Sequence, residues 1–161
     1  MKIRNAQSKD LKMVAVIEKI CFSKEEAATK KALSDRIRSF PKHFWLLEND
    51  DSDLIGEING MVTNEPDLKD EMYHNAYLHD EKGEWQMIFS VAVLPEFQRK
   101  GYASLLMKRM LEDVKVDGRK GVVLTCKAEL VSFYECFGFK NEGISVSQHA
   151  DVVWYQMRRI F

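Results

Sequence analysis

A buried strand, a polar loop and an amphipathic helix follow one another between residues 85 and 116, and this succession constrains the fold more than any other part of the chain. The apolar run 85–93 has the composition of a central strand, and Pro95 ends it because proline cannot donate to a sheet. Apolar residues then recur at helical spacing over residues 103–116. A strand that leads through a short loop into a helix predicts a mixed α/β domain.

The loop of this unit, residues 98–104, has the features of an anion site. Gly101 allows close approach to the backbone, the small side chain of Ala103 keeps bulk away, and the first amides of the helix have no acceptor within it. Arg99 and Lys100 add positive charge. The alternative is a connection whose basic residues face water. The loop lacks the glycine patterns of dinucleotide-binding folds and of nucleotide triphosphate loops.

The remaining elements follow from periodicity and turn residues, and they complete one domain over residues 1–161. The predicted order is βααβββαβαβ. No internal repeat is present, so we expect the functional site to be built within this domain. Besides the elements above, we predict strands at 2–7, 43–48, 54–63, 121–126 and 151–159, helices at 8–20, 24–39 and 128–137, and an irregular connection at 64–84.

Composition argues against several classes of function. The 24 basic and 25 acidic residues leave a formal net charge of -1, so strong attraction to nucleic acid or to an anionic membrane is not expected. No stretch approaches the ~20 apolar residues that span a bilayer. Three cysteines without metal-ligand spacing predict reduced thiols and no metal site. We therefore expect a soluble cytoplasmic protein.

Two segments carry a specific resemblance. Gln98-x-x-Gly101-x-Ala103 resembles the Gln/Arg-x-x-Gly-x-Gly/Ala pyrophosphate motif of the GCN5-related N-acetyltransferase (GNAT) family. Residues 124–139 resemble that family's strand, short helix and Phe-Tyr-x-x-x-Gly-Phe segment, and within the family they look closest to the serotonin (arylalkylamine) N-acetyltransferases. The resemblance spans most of the chain, because the other elements fall in the expected order.

The resemblance implies the GNAT acyl-CoA N-acyltransferase fold, a mixed α/β arrangement. Its central sheet is mostly antiparallel but split between two parallel strands, and helices cover both faces. The resemblance also implies acetyl-CoA as cosubstrate, because an extended pantetheine arm can pair like a strand while the helix amino terminus takes the pyrophosphate. The implied cofactor-binding residues are Val91, Ala92, Val93, Gln98, Arg99, Lys100, Gly101, Tyr102, Ala103 and Ser104.

Tyr134 matches the family's general acid, which protonates the departing thiolate. A phenol of reference pKa ~10 can protonate a thiol of reference pKa ~8.5 in a dry, close site. The alternative is a tyrosine that only packs within an aromatic helix. Acetyl transfer would be a direct attack by the amine in a ternary complex, without an acyl-enzyme.

The general base is the point at which the resemblance fails. The arylalkylamine enzymes have two histidines on the central strand, and the aligned positions are Met87 and Phe89. Neither can accept a proton. A water chain, an amine that arrives neutral, or another residue must serve. The candidate residues are Glu26, His74, His79 and Glu84.

Four apolar residues are candidates for binding the acceptor, namely Phe22, Trp85, Met87 and Phe89. A pocket lined by them would favour a small aromatic or alkyl primary amine, although alternate residues of a central strand are often core. Acids in the 64–84 connection could attract a cationic amine. The alternatives are acetylation of a protein amino terminus or lysine, or a non-catalytic sensor of acetyl-CoA. We expect a monomer or a homodimer.

Overall fold

The computed structural model describes residues 1–161 and contains nine strands and five α-helices. None of the helices has the length and apolar run needed to cross a membrane. The strands are β1 (Lys2–Asn5), β2 (Phe44–Glu48), β3 (Leu54–Asn59), β4 (Val62–Thr63), β5 (Trp85–Ile88), β6 (Ser90–Val93), β7 (Gly121–Cys126), β8 (Lys140–Ile144) and β9 (Tyr155–Ile160). The helices are α1 (Leu11–Cys21), α2 (Lys30–Ser39), α3 (Glu71–His74), α4 (Tyr102–Val116) and α5 (Val131–Glu135).

The strands form two half-sheets that meet along one segment of chain. Their orders are β1-β2-β3-β6 and β4-β5-β7-β9-β8, and only β5 and β7 run parallel. Phe89 alone separates β5 from β6. Pairing with β7 ends where Ile88 meets Leu124, and β6 then pairs with β3 instead. The gap that opens between β6 and the end of β7, which we call the split, confirms the predicted mixed α/β fold.

Helices cover both faces of the sheet because side chains alternate along each strand. On one face, α1 and α2 bury Val14, Ile17 and Leu33 in a cluster that includes Ala92 of β6. On the other face, α4 packs in a larger cluster that includes Val93. Successive residues of β6 therefore point to opposite faces, and Ser90, like Ala92, lies on the side of α1 and α2.

The helix predicted over 24–39 begins six residues later, at Lys30. Thr29 caps it, since its hydroxyl accepts a hydrogen bond from the amide of Ala32 at 3.1 Å. The charged residues before Thr29 had extended the apparent helical pattern. In the structure, the segment between α1 and α2 is an irregular loop, and it lies beside the split.

Other boundaries also differ from the sequence prediction. The strand expected at 54–63 divides into β3 and β4, because Gly60 packs so closely on the backbone of Met87 that a Cβ there would clash. The helix expected at 128–137 is a 3-10 turn followed by the short α5. The final strand begins at Tyr155 and pairs with β8, which we did not predict because residues 140–144 lack apolar alternation.

Asp10 anchors the start of α1 through a buried ion pair. Its carboxylate oxygens accept two hydrogen bonds from Arg4, both at 2.8 Å, and one from the amide of Gln7 at 2.7 Å. The hydrogen bonds from Arg4 are the main cause that lowers the pKa of Asp10. Arg4 also donates to Glu48 at 2.7 Å, so the pair ties α1 to β1 and β2.

We expect Asp10→Asn to lower the free energy of unfolding by about 1–3 kcal/mol at neutral pH, because it removes hydrogen bonds to a charged group. The folded pKa of Asp10 lies below its unfolded value of ~3.9, so this stabilisation is present above pH ~4 and is lost as the pH falls through the folded pKa. Urea denaturation at several pH values measures it. A difference between the two proteins that stays constant down to pH ~2 would contradict the assignment.

Candidate active site

A cavity of about 520 Å³ lies at the split. Ser90 and Val91 line it on the side of β6, and the end of β7 lines it opposite. The loop between α1 and α2 forms another wall, together with parts of α2 and α3, and Tyr134 of α5 and His149 from the β8–β9 connection complete it. The cavity is therefore built from segments that are distant in sequence and that meet only where the sheet divides.

The strand β6 has one edge available to a ligand. It pairs with β3 along one side, and no strand pairs with it along the other, which faces β7 across the split. The edge belongs to Val91, Ala92 and Val93, which the family resemblance predicted to bind pantetheine. The carbonyl of Val93 already accepts hydrogen bonds from Gln98 and Cys21. An extended chain can form strand-like hydrogen bonds with such an edge.

The amino terminus of α4 presents unbonded amides next to this edge. The amides from Arg99 to Ser104, which include those of Lys100, Tyr102 and Ala103, donate to no backbone acceptor. Gly101 has a φ of 85°, in the left-handed region that favours glycine, and a Cβ there would meet nothing within 4 Å. The side chain of Gln98 turns inward, where its Nε2 donates to the carbonyl of Val93 at 2.9 Å. The side chain of Gln98 thus holds the loop in shape. The groups that the loop presents to an anion are its backbone amides.

Tyr134 lies in the cavity wall and is only 6% exposed. Its ring packs edge-on against Phe133 and Phe139. Burial, with a smaller contribution from Cys126, raises the pKa of its hydroxyl well above the usual value. The hydroxyl makes no hydrogen bond within the protein, so it can donate one to a group in the cavity.

Of the four residues predicted to bind the acceptor, Phe22 and Phe89 line the cavity. Met87 is completely buried in a cluster with Phe40 and Met61 and does not reach it. Trp85 lies below the guanidinium of Arg158, 4.8 Å from the ring centroid. Met87 and Trp85 do not reach the cavity because the 64–84 connection covers this face of β5. Only the end of the strand is left open.

Of the four candidate bases, two also line the cavity and two lie elsewhere. Glu26 and His74 line the cavity, and the carboxylate of Glu26 forms an ion pair with Lys127, also in the wall. Glu84 instead pairs with Lys120 at 2.9 Å at the other end of β5. His79 is likewise absent from the lining, because it belongs to a separate cluster.

That cluster consists of His43, His79 and Glu81, whose ligand atoms lie within 4.8 Å of one another. Nδ1 of His79 accepts the amide hydrogen of Val62 at 3.0 Å, so its Nε2 carries the proton and donates to Glu81 at 2.8 Å. Burial lowers the pKa of His79, which favours this neutral form. A metal would need that nitrogen unprotonated. The arrangement fits a hydrogen-bonded cluster better than a metal site.

The cavity also contains residues that the sequence did not indicate. The Tyr73 hydroxyl lies 3.1 Å from the Thr125 hydroxyl, and its ring stacks on His149 with centroids 5.0 Å apart. Nε2 of His149 lies 3.1 Å from the carbonyl of Glu26. Burial raises the pKa of Tyr73 to about 12, so it is neutral. A helical or strand period would not have revealed His149, which lies in an irregular connection.

Arg36 is a further unpredicted residue of the wall. Its two terminal nitrogens donate to Oδ1 of Asn59 and to the carbonyl of Tyr73, each at 3.0 Å. The guanidinium lies 4.8 Å from the centroid of the Phe89 ring. Its Nε is buried without a partner. The guanidinium thus belongs to the cavity wall, while its unpaired Nε is enclosed by the protein.

The divided sheet, the open edge of β6 and the cavity beside it are arranged as in acetyltransferase domains of the GNAT type. The chain belongs to the GNAT acetyltransferase family, because residues 41–141, well over half of its length, match the family model described as Acetyltransferase (GNAT) domain. A search of curated proteins found no sequence match.

Solved structures share the fold over almost the entire chain. The GphF GNAT-like decarboxylase in complex with isobutyryl-CoA has a TM-score of 0.87 and 18% identity, with 99% of each chain covered. The ribosomal-protein-S18-alanine N-acetyltransferase from Escherichia coli has a TM-score of 0.74 and 15% identity, covering 99% of this chain and 92% of that one. The PaiA N-acetyltransferase from Thermoplasma acidophilum, in complex with coenzyme A, has a TM-score of 0.73 and 18% identity, covering 99% and 98%. At these identities the likeness establishes the fold alone.

Proposed function

We propose that the protein transfers the acetyl group of acetyl-CoA to a small primary amine by direct attack in a ternary complex. The observation that carries this proposal is the position of Tyr134, which lines a cavity that continues from the open edge of β6. Pantetheine would pair with Val91 and its neighbours, and the amides around Gly101 would bind the pyrophosphate. The thioester would then lie at the split, close to Tyr134.

The chemistry requires three contributions from the chain. The amine lone pair forms the new C–N bond, and an amide of the Val91 region would stabilise the charge on the carbonyl oxygen. The C–S bond breaks, and Tyr134 gives its proton to the thiolate. The walls exclude water and hold the amine against the thioester, which contributes through proximity.

The walls of the cavity favour a small acceptor with an apolar part. Phe22 and Phe89 line it together with Trp154, and the stacked rings of Tyr73 and His149 add a flat surface. Such a lining suits an arylalkylamine or alkylamine, in keeping with the resemblance of residues 124–139. A protein amino terminus would need an open groove, whereas the loop that carries His149 closes one side of this cavity.

Arg36 favours a second candidate activity. Its guanidinium belongs to the cavity wall, where a cation favours a carboxylate of the substrate. The structural neighbour with a TM-score of 0.87 is a GNAT-like decarboxylase. The competing proposal is therefore decarboxylation of an acyl-CoA whose acyl chain ends in a carboxylate, which Arg36 would bind.

One assay separates these activities. Acetyl-CoA is incubated with arylalkylamines, alkylamines, polyamines, amino acids and short peptides, and free thiol is followed; malonyl-CoA without an amine is followed by mass spectrometry for loss of CO₂. We expect thiol release with arylalkylamines or alkylamines. Release with peptides alone would replace the proposed acceptor, loss of CO₂ without thiol release would favour decarboxylation, and tight binding of coenzyme A without either would favour a sensor.

A further inference from the structure

A group of polar side chains lies buried behind the cavity wall, between the sheet and helices α1 and α2. Glu18 is 2% exposed, Glu57 and Asn59 are 0% exposed, and Ser90 is 6% exposed. Removing two carboxyl groups from water is costly unless they are hydrogen-bonded and share their charge. Neither stability nor the chemistry proposed above accounts for this group.

Ser90 connects the group to the cavity. Its Oγ lies 3.2 and 3.3 Å from the two carboxylate oxygens of Glu18 and donates its hydrogen to that carboxylate. The amide of Ala28 donates to the same carboxylate at 3.0 Å. Ser90 lines the cavity and precedes Val91, whose backbone is proposed to face the thioester. Its hydroxyl oxygen therefore has a lone pair left for a hydrogen-bond donor in the cavity.

Of the two carboxyl groups, that of Glu18 is the one that the Ser90 hydroxyl contacts. Burial and the adjoining Glu18 raise the pKa of Glu57 well above its usual value. Glu57 accepts one hydrogen bond, from Nδ2 of Asn59 at 2.8 Å, and its other oxygen is buried without a partner. Glu18 accepts hydrogen bonds from both the Ala28 amide and the Ser90 hydroxyl.

We propose that Ser90 and Glu18 form a proton relay that takes the proton from the attacking amine, an inference that rests on the proposed acetyl transfer. As the C–N bond forms, a nitrogen proton moves to Ser90 Oγ while the hydroxyl proton of Ser90 moves to the Glu18 carboxylate. The electron pair of the broken C–S bond stays on sulfur, which takes the proton of Tyr134. After product release, Glu18 returns its proton through Ser90 to water, and Tyr134 is reprotonated from water.

This relay supplies the proton acceptor that Met87 and Phe89 cannot provide. A nitrogen that begins to bond to the carbonyl carbon becomes far more acidic than a free ammonium ion, so a carboxylate can accept its proton. Three other titratable groups face Glu18. Arg36 of α2 balances its charge, Glu57 of β3 is neutral, and burial raises the pKa of the Cys21 thiol of α1 to about 11, so it is neutral too.

The test compares Glu18→Gln, Ser90→Ala, their double variant and Ser90→Thr, with the amine that gives the fastest thiol release. Gln keeps the shape of Glu18 and an acceptor for the Ala28 amide, and Thr keeps the hydroxyl. We expect kcat to fall about 10²-fold in each of the first two variants, with the Kd of coenzyme A within about twofold. The double variant should be no slower than the worse single variant, because both residues serve one step. Ser90→Thr should retain most of the activity.

A change of the neighbouring carboxyl group distinguishes a relay from a structural role. Glu57→Gln replaces a neutral acid by a neutral amide, so its loss should be at least about tenfold smaller than that of Glu18→Gln. If Glu18→Gln does not fold, Ser90→Ala and Ser90→Thr carry the test, because both are small changes within a strand.

The outcomes separate the relay from the proposed function. If the wild type releases thiol but kcat is unchanged in Ser90→Ala, the relay is overturned and acetyl transfer still holds. The same conclusion follows if the losses of the two single variants multiply in the double variant. No thiol release by the wild type with any amine would overturn both.

Discussion

Tyr134→Phe is expected to lower kcat for acetyl transfer by about 10²-fold, while the Kd of coenzyme A changes by less than about twofold. The hydroxyl is the only group removed, and it makes no hydrogen bond within the protein to lose. The ring remains packed on Phe133 and Phe139, so the melting temperature should hardly change. Stopped-flow or steady-state thiol release, with calorimetry for coenzyme A, measures the two effects. An unchanged kcat would leave Tyr134 as a packing residue.

Tyr73→Phe is the matched control for this prediction. Tyr73 also lines the cavity and is also neutral, but its hydroxyl is already paired with Thr125 at 3.1 Å. Its loss should therefore affect kcat much less than the loss of the Tyr134 hydroxyl. Equal losses in the two variants would indicate a general disturbance of the cavity and would count against a specific acid role for Tyr134.

The part of the fold that the sequence predicted well is the part with strong local periodicity. The strand at 121–126 has the predicted bounds, and α4 begins one residue before its predicted start, at Tyr102. The predicted start of α2 was wrong because the charged residues before Thr29 also fit a helical pattern. The division at Gly60 depends on contact with Met87, which lies 27 positions later in the sequence.

The residues of the candidate site also differ in whether a local sequence pattern indicates them. Tyr134 and the loop around Gly101 could be proposed from the sequence because each belongs to a short contiguous motif. His149, Arg36 and Ser90 were missed because each gains its role only from residues far along the chain. Ser90, for example, meets Glu18 across 72 residues. A serine in a strand and a glutamate on a helix carry no joint signal until the fold brings them together.

Gly101→Val is expected to raise the Kd of coenzyme A by about 10²-fold, equivalent to about 2.7 kcal/mol. The first reason is the φ of 85°, which a β-branched residue adopts only with strain, so the amides of the α4 amino terminus would lose their alignment. The second is that a side chain here would project into open space, which the proposal assigns to the pyrophosphate. Isothermal titration with coenzyme A measures the loss, and kcat at saturation should fall much less.

Gly118 provides the control that separates these effects from simple backbone strain. It follows the other end of α4 and has a φ of 78°, and a Cβ at this position would also meet nothing within 4 Å. Gly118→Val should therefore cost comparable stability in urea denaturation while leaving the Kd of coenzyme A unchanged. If both variants lost stability equally and neither lost affinity, the amides around Gly101 would not be the pyrophosphate site. Because the two glycines differ mainly in which end of the helix they occupy, the comparison isolates the contribution of the helix amino terminus to anion binding.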